Sequence, residues 1–238
     1  MGDLAFTTAV RHRFGLRAYP DTMIPPCKCK GENVGKPDHP VYCSDLALDV
    51  QLRHNNTYQS LRHIVNCAGL CASEEPSYRK QRGASGRGNE GQHRADLLTV
   101  LPGGKAAMVD VTVVYPMQSN RLGRAWRTTG SAAKWAEGEK VKEWRKFVDR
   151  PQYEFVPFAV ESFGRLGPQA TDFIKELGEI ASTTGRVSKS RFIMNAYRVI
   201  SCTVQKWNSQ MYAKAQVAMA RVNGRHFIPG LDVPVESM

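Results

Sequence analysis

The sequence predicts a mixed α/β fold with a small metal-binding appendage in front. Three observations point that way. Apolar segments 97–101 and 106–115 flank the turn signal Pro102-Gly103-Gly104-Lys105 and read as a β-hairpin. A lysine-bearing helical stretch, 131–147, separates the second segment from a further apolar strand, 153–160. That strand–helix–strand passage implies a mixed sheet with a crossover. Finally, Cys27, Cys29, His39 and Cys43 cluster in a segment punctuated by Gly31, Gly35 and Pro37.

Size and charge narrow the classes. The 238 residues, 42% hydrophobic and 23% charged, suit one generous domain or a domain with a small appendage, and exclude wholesale disorder. A core of that size needs no disulfides. Lys plus Arg is 33 against 22 Asp plus Glu, a formal net charge of +11. That balance favours a polyanion as partner, nucleic acid before membrane; a basic enzyme without such a partner is the alternative. The longest apolar runs fall far short of the roughly 18 to 20 residues that span a bilayer, so no transmembrane helix and no membrane partner are expected. Met1–Arg13 contains no long apolar export region, which predicts an intracellular protein with reduced thiols. The sequon Asn55-Asn56-Thr57 then reads as a chance match.

Taken in order, residues 1–26 are mixed and close on Pro20, Pro25 and Pro26. In 27–43, three thiols and one imidazole can complete a closed tetrahedral zinc site, structural rather than catalytic. Zinc would supply the free energy that orders a segment with so little core. Cys67 and Cys71 are alternative ligands or core residues, and His39 could instead be a plain surface histidine. Residues 45–71 read as a helix, with Leu46, Val50, Leu61, Ile64, Val65 and Ala68 at three- and four-residue steps. Asn55 and Asn56 are expected to interrupt it. Arg53-His54 and Arg62-His63 are expected to face outward, as phosphate contacts or a solvated face. Residues 72–94 read as a basic, glycine-rich loop; following no strand, its glycines argue only weakly for a dinucleotide site. After the hairpin, 116–131 reads as irregular. Gly164, Gly167 and Pro168 open a helix over 169–181 with an apolar face of Ala170, Phe173, Ile174, Leu177 and Ile180. A long helix follows over 188–222. The expected division is 1–44 with the knuckle, 45–222 as the main domain, and 223–238 as a tail.

The chemically informative feature is an acidic pair. Asp96 begins the first hairpin strand and Asp110 lies inside the second, among Val109, Val111 and Val113. Pairing of the strands brings the two carboxylates to one place. A buried, unpaired carboxylate is costly, and a divalent cation removes that cost. Two aspartates with waters and phosphate oxygens suit Mg²⁺ (or Mn²⁺) and phosphodiester hydrolysis. A lysine from the next helix, Lys140 or Lys142, could offset transition-state charge. The bland alternative puts Asp110 on a solvent-facing side of the strand with Met108, Thr112 and Val114, and leaves the lysines solvated.

In order along the chain, Cys27-x-Cys29, His39-x3-Cys43, Arg53-His54-Asn55, Arg94-Ala95-Asp96, Asp110 and a lysine-rich helix resemble one family. It is the restriction-like endonuclease region at the C-terminus of site-specific non-LTR retrotransposon proteins, in the PD-(D/E)xK nuclease superfamily. Phe155-Val-Pro-Phe158, Glu161, Gly164, Gly167-Pro168, Ala170, Phe173-Ile174 and Leu177 resemble its closing strand and helix, so the likeness covers roughly residues 27–200.

The resemblance implies a restriction-endonuclease-like mixed central sheet flanked by helices, with a small N-terminal zinc knuckle. It implies Asp96 and Asp110 as Mg²⁺ ligands, Lys140 as the lysine moved to the helix, and Glu75 as an auxiliary acid. Trp144 stands where the family tends to place tyrosine. It implies Cys27, Cys29, His39 and Cys43 as zinc ligands. Three departures stand out. Ala95 replaces a proline, Thr112 stands where most of the superfamily carries lysine, and the segment from Asp110 to the helix is long, leaving Lys134 or Lys142 as rivals of Lys140. The implied activity is nicking of double-stranded target DNA in the nucleus, the 3′-hydroxyl priming reverse transcription of element RNA. The absence of reverse transcriptase sequence implies a piece of a larger polyprotein. The alternatives are a catalytically inactive zinc-stabilised nucleic-acid-binding module and a resolvase-like, structure-specific nuclease.

Overall fold

The computed structural model describes residues 3–14, 16, 29, 38–74, 77–78, 93–145, 153–183, 185 and 187–222. The helices are α1 (Asp3–Arg13), α2 (Ala47–Cys67), α3 (Ser119–Arg127), α4 (Ser131–Trp144), α5 (Pro168–Thr183) and α6 (Lys189–Val222). The strands are β1 (Ala72–Glu74), β2 (Ser77–Tyr78), β3 (His93–Arg94), β4 (Leu97–Val100), β5 (Ala106–Val114) and β6 (Tyr153–Glu161). Short 3-10 turns cover His39–Val41 and Ser44–Leu46. Two compact units are distinguished: Met1–Arg53 with Val204–Met238, and His54–Thr203. The first takes residues from both ends of the chain. No helix among the described residues is long and apolar enough to cross a membrane.

In the larger unit a four-stranded mixed sheet runs β1-β4-β5-β6. Gly103 and Gly104, both at positive φ, close the β4–β5 hairpin. β5 and β6 pair in parallel, which requires the crossover that α3 and α4 provide. Pro157 sits in β6 without cost because β6 is an edge strand. The core gathers Leu97, Val109, Phe158, Val160, Ile174 and Leu177, all buried. A second small sheet pairs β2 with β3.

Two buried acids fix the helices that flank β6. Glu161, at the end of β6, accepts the Ala133 N–H in the first turn of α4 at 3.3 Å. Glu137, in α4, accepts the N–H groups of Gln169 (3.2 Å) and Ala170 (3.0 Å) at the start of α5. Carboxylates at helix N-termini satisfy orphan donors and favour the dipole. Burial pushes the Glu137 carboxyl up, against the pull of those two N–H groups. A Cβ at Gly167 would collide with that carboxylate. Gly167→Ala should therefore displace Glu137 from α5 and cost about 1 to 3 kcal/mol, read as a lowered urea midpoint.

In the smaller unit, Arg53 is 2% exposed. Its guanidinium donates to the Val41 carbonyl at 3.0 Å and to Asn208 Oδ1 at 2.8 Å. Burial lowers its pKa to about 10, still charged at neutral pH. Lys214 pairs with the buried Asp49, and His12 meets Tyr212 edge-on at 5.3 Å. Arg53→Met should strand two acceptors and cost about 2 to 4 kcal/mol, with α-helical circular dichroism retained at low temperature.

Several expectations are corrected. α2 runs unbroken through Asn55 and Asn56. Residues 3–13 form a helix, Ser119–Arg127 is helical rather than irregular, and strands stand at 72–74, 77–78 and 93–94 where a loop was expected. Arg53 does not face outward: its burial is supported by polar acceptors, which apolar periodicity does not register. Cys27, Glu75, Lys146 and the tail 223–238 lie outside the described residues.

Candidate functional site

The β4–β5 register places Leu97 opposite Val109, and Asp96 stands one residue before β4. The Asp96 N–H donates to the Val109 carbonyl at 3.0 Å, and Asp96 Oδ2 accepts the Val111 N–H at 2.6 Å. The hairpin thus holds Asp96 alongside residues 109–111.

Asp110 is not on a solvent face; it is 6% exposed. Its side of the sheet is covered by α4, where Ala95, Met108 and Trp144 form a buried cluster flanked by Leu98, Tyr153 and Phe155. Lys140 Nζ lies 2.9 Å from Asp110 Oδ2, and the Trp144 indole N–H donates to the same oxygen at 3.3 Å. Trp144 stacks on Phe155 at 5.2 Å, which fixes the indole. Lys140 and Trp144 are four residues apart on α4, so they present neighbouring groups to one carboxylate.

Burial pushes the Asp110 carboxyl up and the Asp96 charge adds to that, while Lys140 and Trp144 pull it back. Burial alone would lower the Lys140 pKa, but Asp110 and Glu143 outweigh it and raise it, so the amine stays charged. Glu143 adds a second acid 3.3 Å from Lys140.

His54, on α2, completes the cluster. Its Nε2 lies 3.3 Å from Asp96 Oδ2 and 3.0 Å from the Val111 carbonyl. Burial alone would lower its pKa; the Asp96 hydrogen bond and charge overcome that and raise it to about 9. His54 is thus cationic at neutral pH and turned inward, not outward as its motif suggested. A signal was present: Tyr58, Leu61 and Val65 follow at four, seven and eleven residues, all buried, which marks His54 as part of the inward stripe.

The structure brings Asp96, Asp110 and Lys140 together. It does not bring Lys142, which is exposed and pairs with Glu139 at 2.8 Å. Lys134 is exposed on another face of α4.

The smaller unit carries a separate cluster. One ligand atom each from Cys29, His39 and Cys43 lies within 4.8 Å of the others, so the three can hold a metal ion. Cys29 Sγ is 3.3 Å from His39 Nε2. A tetrahedral zinc site puts its ligand atoms roughly 3.5 to 3.8 Å apart, given metal–sulfur and metal–nitrogen bonds of about 2.3 and 2.1 Å. His39 and Cys43 are buried. Burial lowers the His39 pKa, against Asp38 and Asp45, and so favours the neutral imidazole that ligation needs. His39 is thus not a surface residue. Cys67 and Cys71 are exposed, and Cys67 lies 3.5 Å from His63.

No family model matches the chain, and no curated protein matches it.

Proposed function

We propose that this protein is a metal-dependent DNA endonuclease with a restriction-endonuclease-like fold, pinned at its N-terminal side by a structural zinc. The observation that carries the reading is the meeting of Asp96, Asp110 and a helix-borne amine, Lys140, at one point of the β4–β5 hairpin. The donor set suits a hard cation: two carboxylates stand close enough for one charge to raise the other's pKa. Asp96 and Asp110 would hold Mg²⁺ or Mn²⁺, which supplies polarisation of a phosphate oxygen and activation of water. The chain's own groups do the rest. Lys140, held charged, cannot act as a general base; it stabilises negative charge developing on the phosphoryl group. Trp144 and the Val111 N–H hold the two carboxylates in place. The overall charge of +11 favours the DNA backbone as substrate. The same reading takes Cys27 as fourth ligand to zinc with Cys29, His39 and Cys43.

On the resemblance given above, the nick serves integration of a retrotransposon by target-primed reverse transcription in the nucleus, with element RNA and a reverse transcriptase region as partners. A second reading, a zinc-stabilised binding module without catalysis, is favoured by one observation. Asp96 and Asp110 already have cationic partners in His54 and Lys140 without a metal.

Conversion of supercoiled plasmid to nicked circle in Mg²⁺, abolished by EDTA, distinguishes them. Binding without cleavage in either Mg²⁺ or Mn²⁺ would establish the second reading. Preference for branched over linear duplex would mark a structure-specific nuclease instead.

A further inference from the structure

A strongly basic feature lies on another side of α4 from Lys140. A cleft of about 620 Å³ opens between the end of α3, the start of α4, the turn after β6 and α5. Its cations are Arg124, Lys134, Lys142, Arg165 and Lys175, against two acids, Glu139 and Asp172. At 3.6 residues per turn, Lys134, Trp135 and Lys142 lie roughly 120 to 160° around α4 from Lys140. The cleft and the Asp110 pair therefore occupy different faces of one helix.

The charge in the cleft is available. Arg124, Lys134 and Arg165 are exposed and form no ion pair with any of the described residues. Lys142 and Lys175 pair with Glu139 and Asp172 at 2.8 and 2.9 Å, within one helical turn each. Such exposed pairs contribute little and exchange readily for a phosphate. Arg165 is placed by Gly130, whose φ is +78°; a Cβ there would come within 2.9 Å of Arg165 Nε. The guanidinium can therefore lie over the backbone at the mouth of α4. Trp135 adds an aromatic surface, 39% exposed, with the Arg121 guanidinium 4.2 Å from its ring centre.

We propose that this cleft binds a single nucleic-acid strand, its phosphates on Arg124, Lys134 and Arg165 and a base against the Arg121–Trp135 stack. A positively charged groove with an aromatic surface inside it is the combination that tracks unpaired strands, whose bases are free to stack. A duplex keeps its bases stacked on one another and has no use for the tryptophan. The cleft needs neither metal nor cleavage, so it stands apart from the endonuclease reading.

The test is fluorescence anisotropy of a labelled oligothymidylate with the full chain across a salt series. Lys134→Glu with Arg165→Glu should weaken binding at least about tenfold and flatten the salt slope by roughly 0.7 for each phosphate the protein no longer neutralises. Lys134→Arg with Arg165→Lys should bind as the parent, and circular dichroism should show both variants folded. Asp110→Asn should lose nicking yet keep strand binding, which separates failure of one reading from failure of the other. Parent-level affinity and an unchanged salt slope in the charge-reversed variant would overturn the proposal. So would displacement of the labelled strand by duplex at lower concentration than by unlabelled strand.

Discussion

Asp110→Ala and Asp110→Asn each reduce Mg²⁺-dependent nicking of supercoiled plasmid by at least about a hundredfold, the scale expected when a group acting on transition-state charge is lost. The two substitutions differ in stability. Alanine leaves Lys140 and the Trp144 N–H without their shared oxygen in a buried place, whereas asparagine keeps an acceptor for both. Asp110→Asn is therefore the cleaner probe: folded, binding DNA, and inactive. Lys140→Ala should lose about a hundred- to a thousandfold, while Lys142→Ala, whose amine only meets Glu139 in solvent, should nick as the parent does. Parent-level cleavage by Asp110→Asn, or equal losses in the two lysine variants, would remove the site from the hairpin.

How much of the fold and the site is legible in the sequence depends on the length scale of each signal. The hairpin is legible because turn chemistry and period-two apolarity are local. The crossover follows because a parallel neighbour for β5 demands a long connection. α5 is legible from an uninterrupted apolar face. By contrast, α3 is nine residues long with Gly123 near its middle, and its apolar stripe of Leu122, Ala125 and Trp126 spans barely one turn, too short to stand out from a loop. β1 has three residues and acquires its identity only by pairing with β4, a partner 25 or so positions away in sequence. Asp96 and Asp110 can be paired by counting across the turn. The choice of Lys140 over Lys134 and Lys142 cannot be made that way, because it depends on the rotation of α4, which the Glu161 contact from β6 and the bonds of Glu137 to the start of α5 set. His54 and Arg53 mislead for a related reason. Charged residues on a helix are usually solvated, and only their tertiary acceptors reveal otherwise.

The cysteine–histidine cluster gives the second large effect. The purified chain should carry one zinc per molecule, and His39→Ala or Cys43→Ser should reduce that content to a small fraction by elemental analysis. Structural zinc contributes roughly 10 to 16 kcal/mol to the folding of isolated finger peptides. Here the same unit already holds the Arg53–Asn208 and Lys214–Asp49 contacts, so part of the structure outlasts the metal. The expected loss on chelation is smaller for that reason, about 3 kcal/mol or more, and it should appear as a lower-melting transition of this unit. The pH dependence has a definite sign. Ligation needs thiolates and a neutral imidazole, so acidification, which protonates the ligands, expels the metal. Zinc retention should therefore be complete at neutral pH and decline on acidification, with the loss of the transition tracking the loss of metal. A metal-free preparation that melts with the parent's profile would show that Cys29, His39 and Cys43 cohere by packing alone.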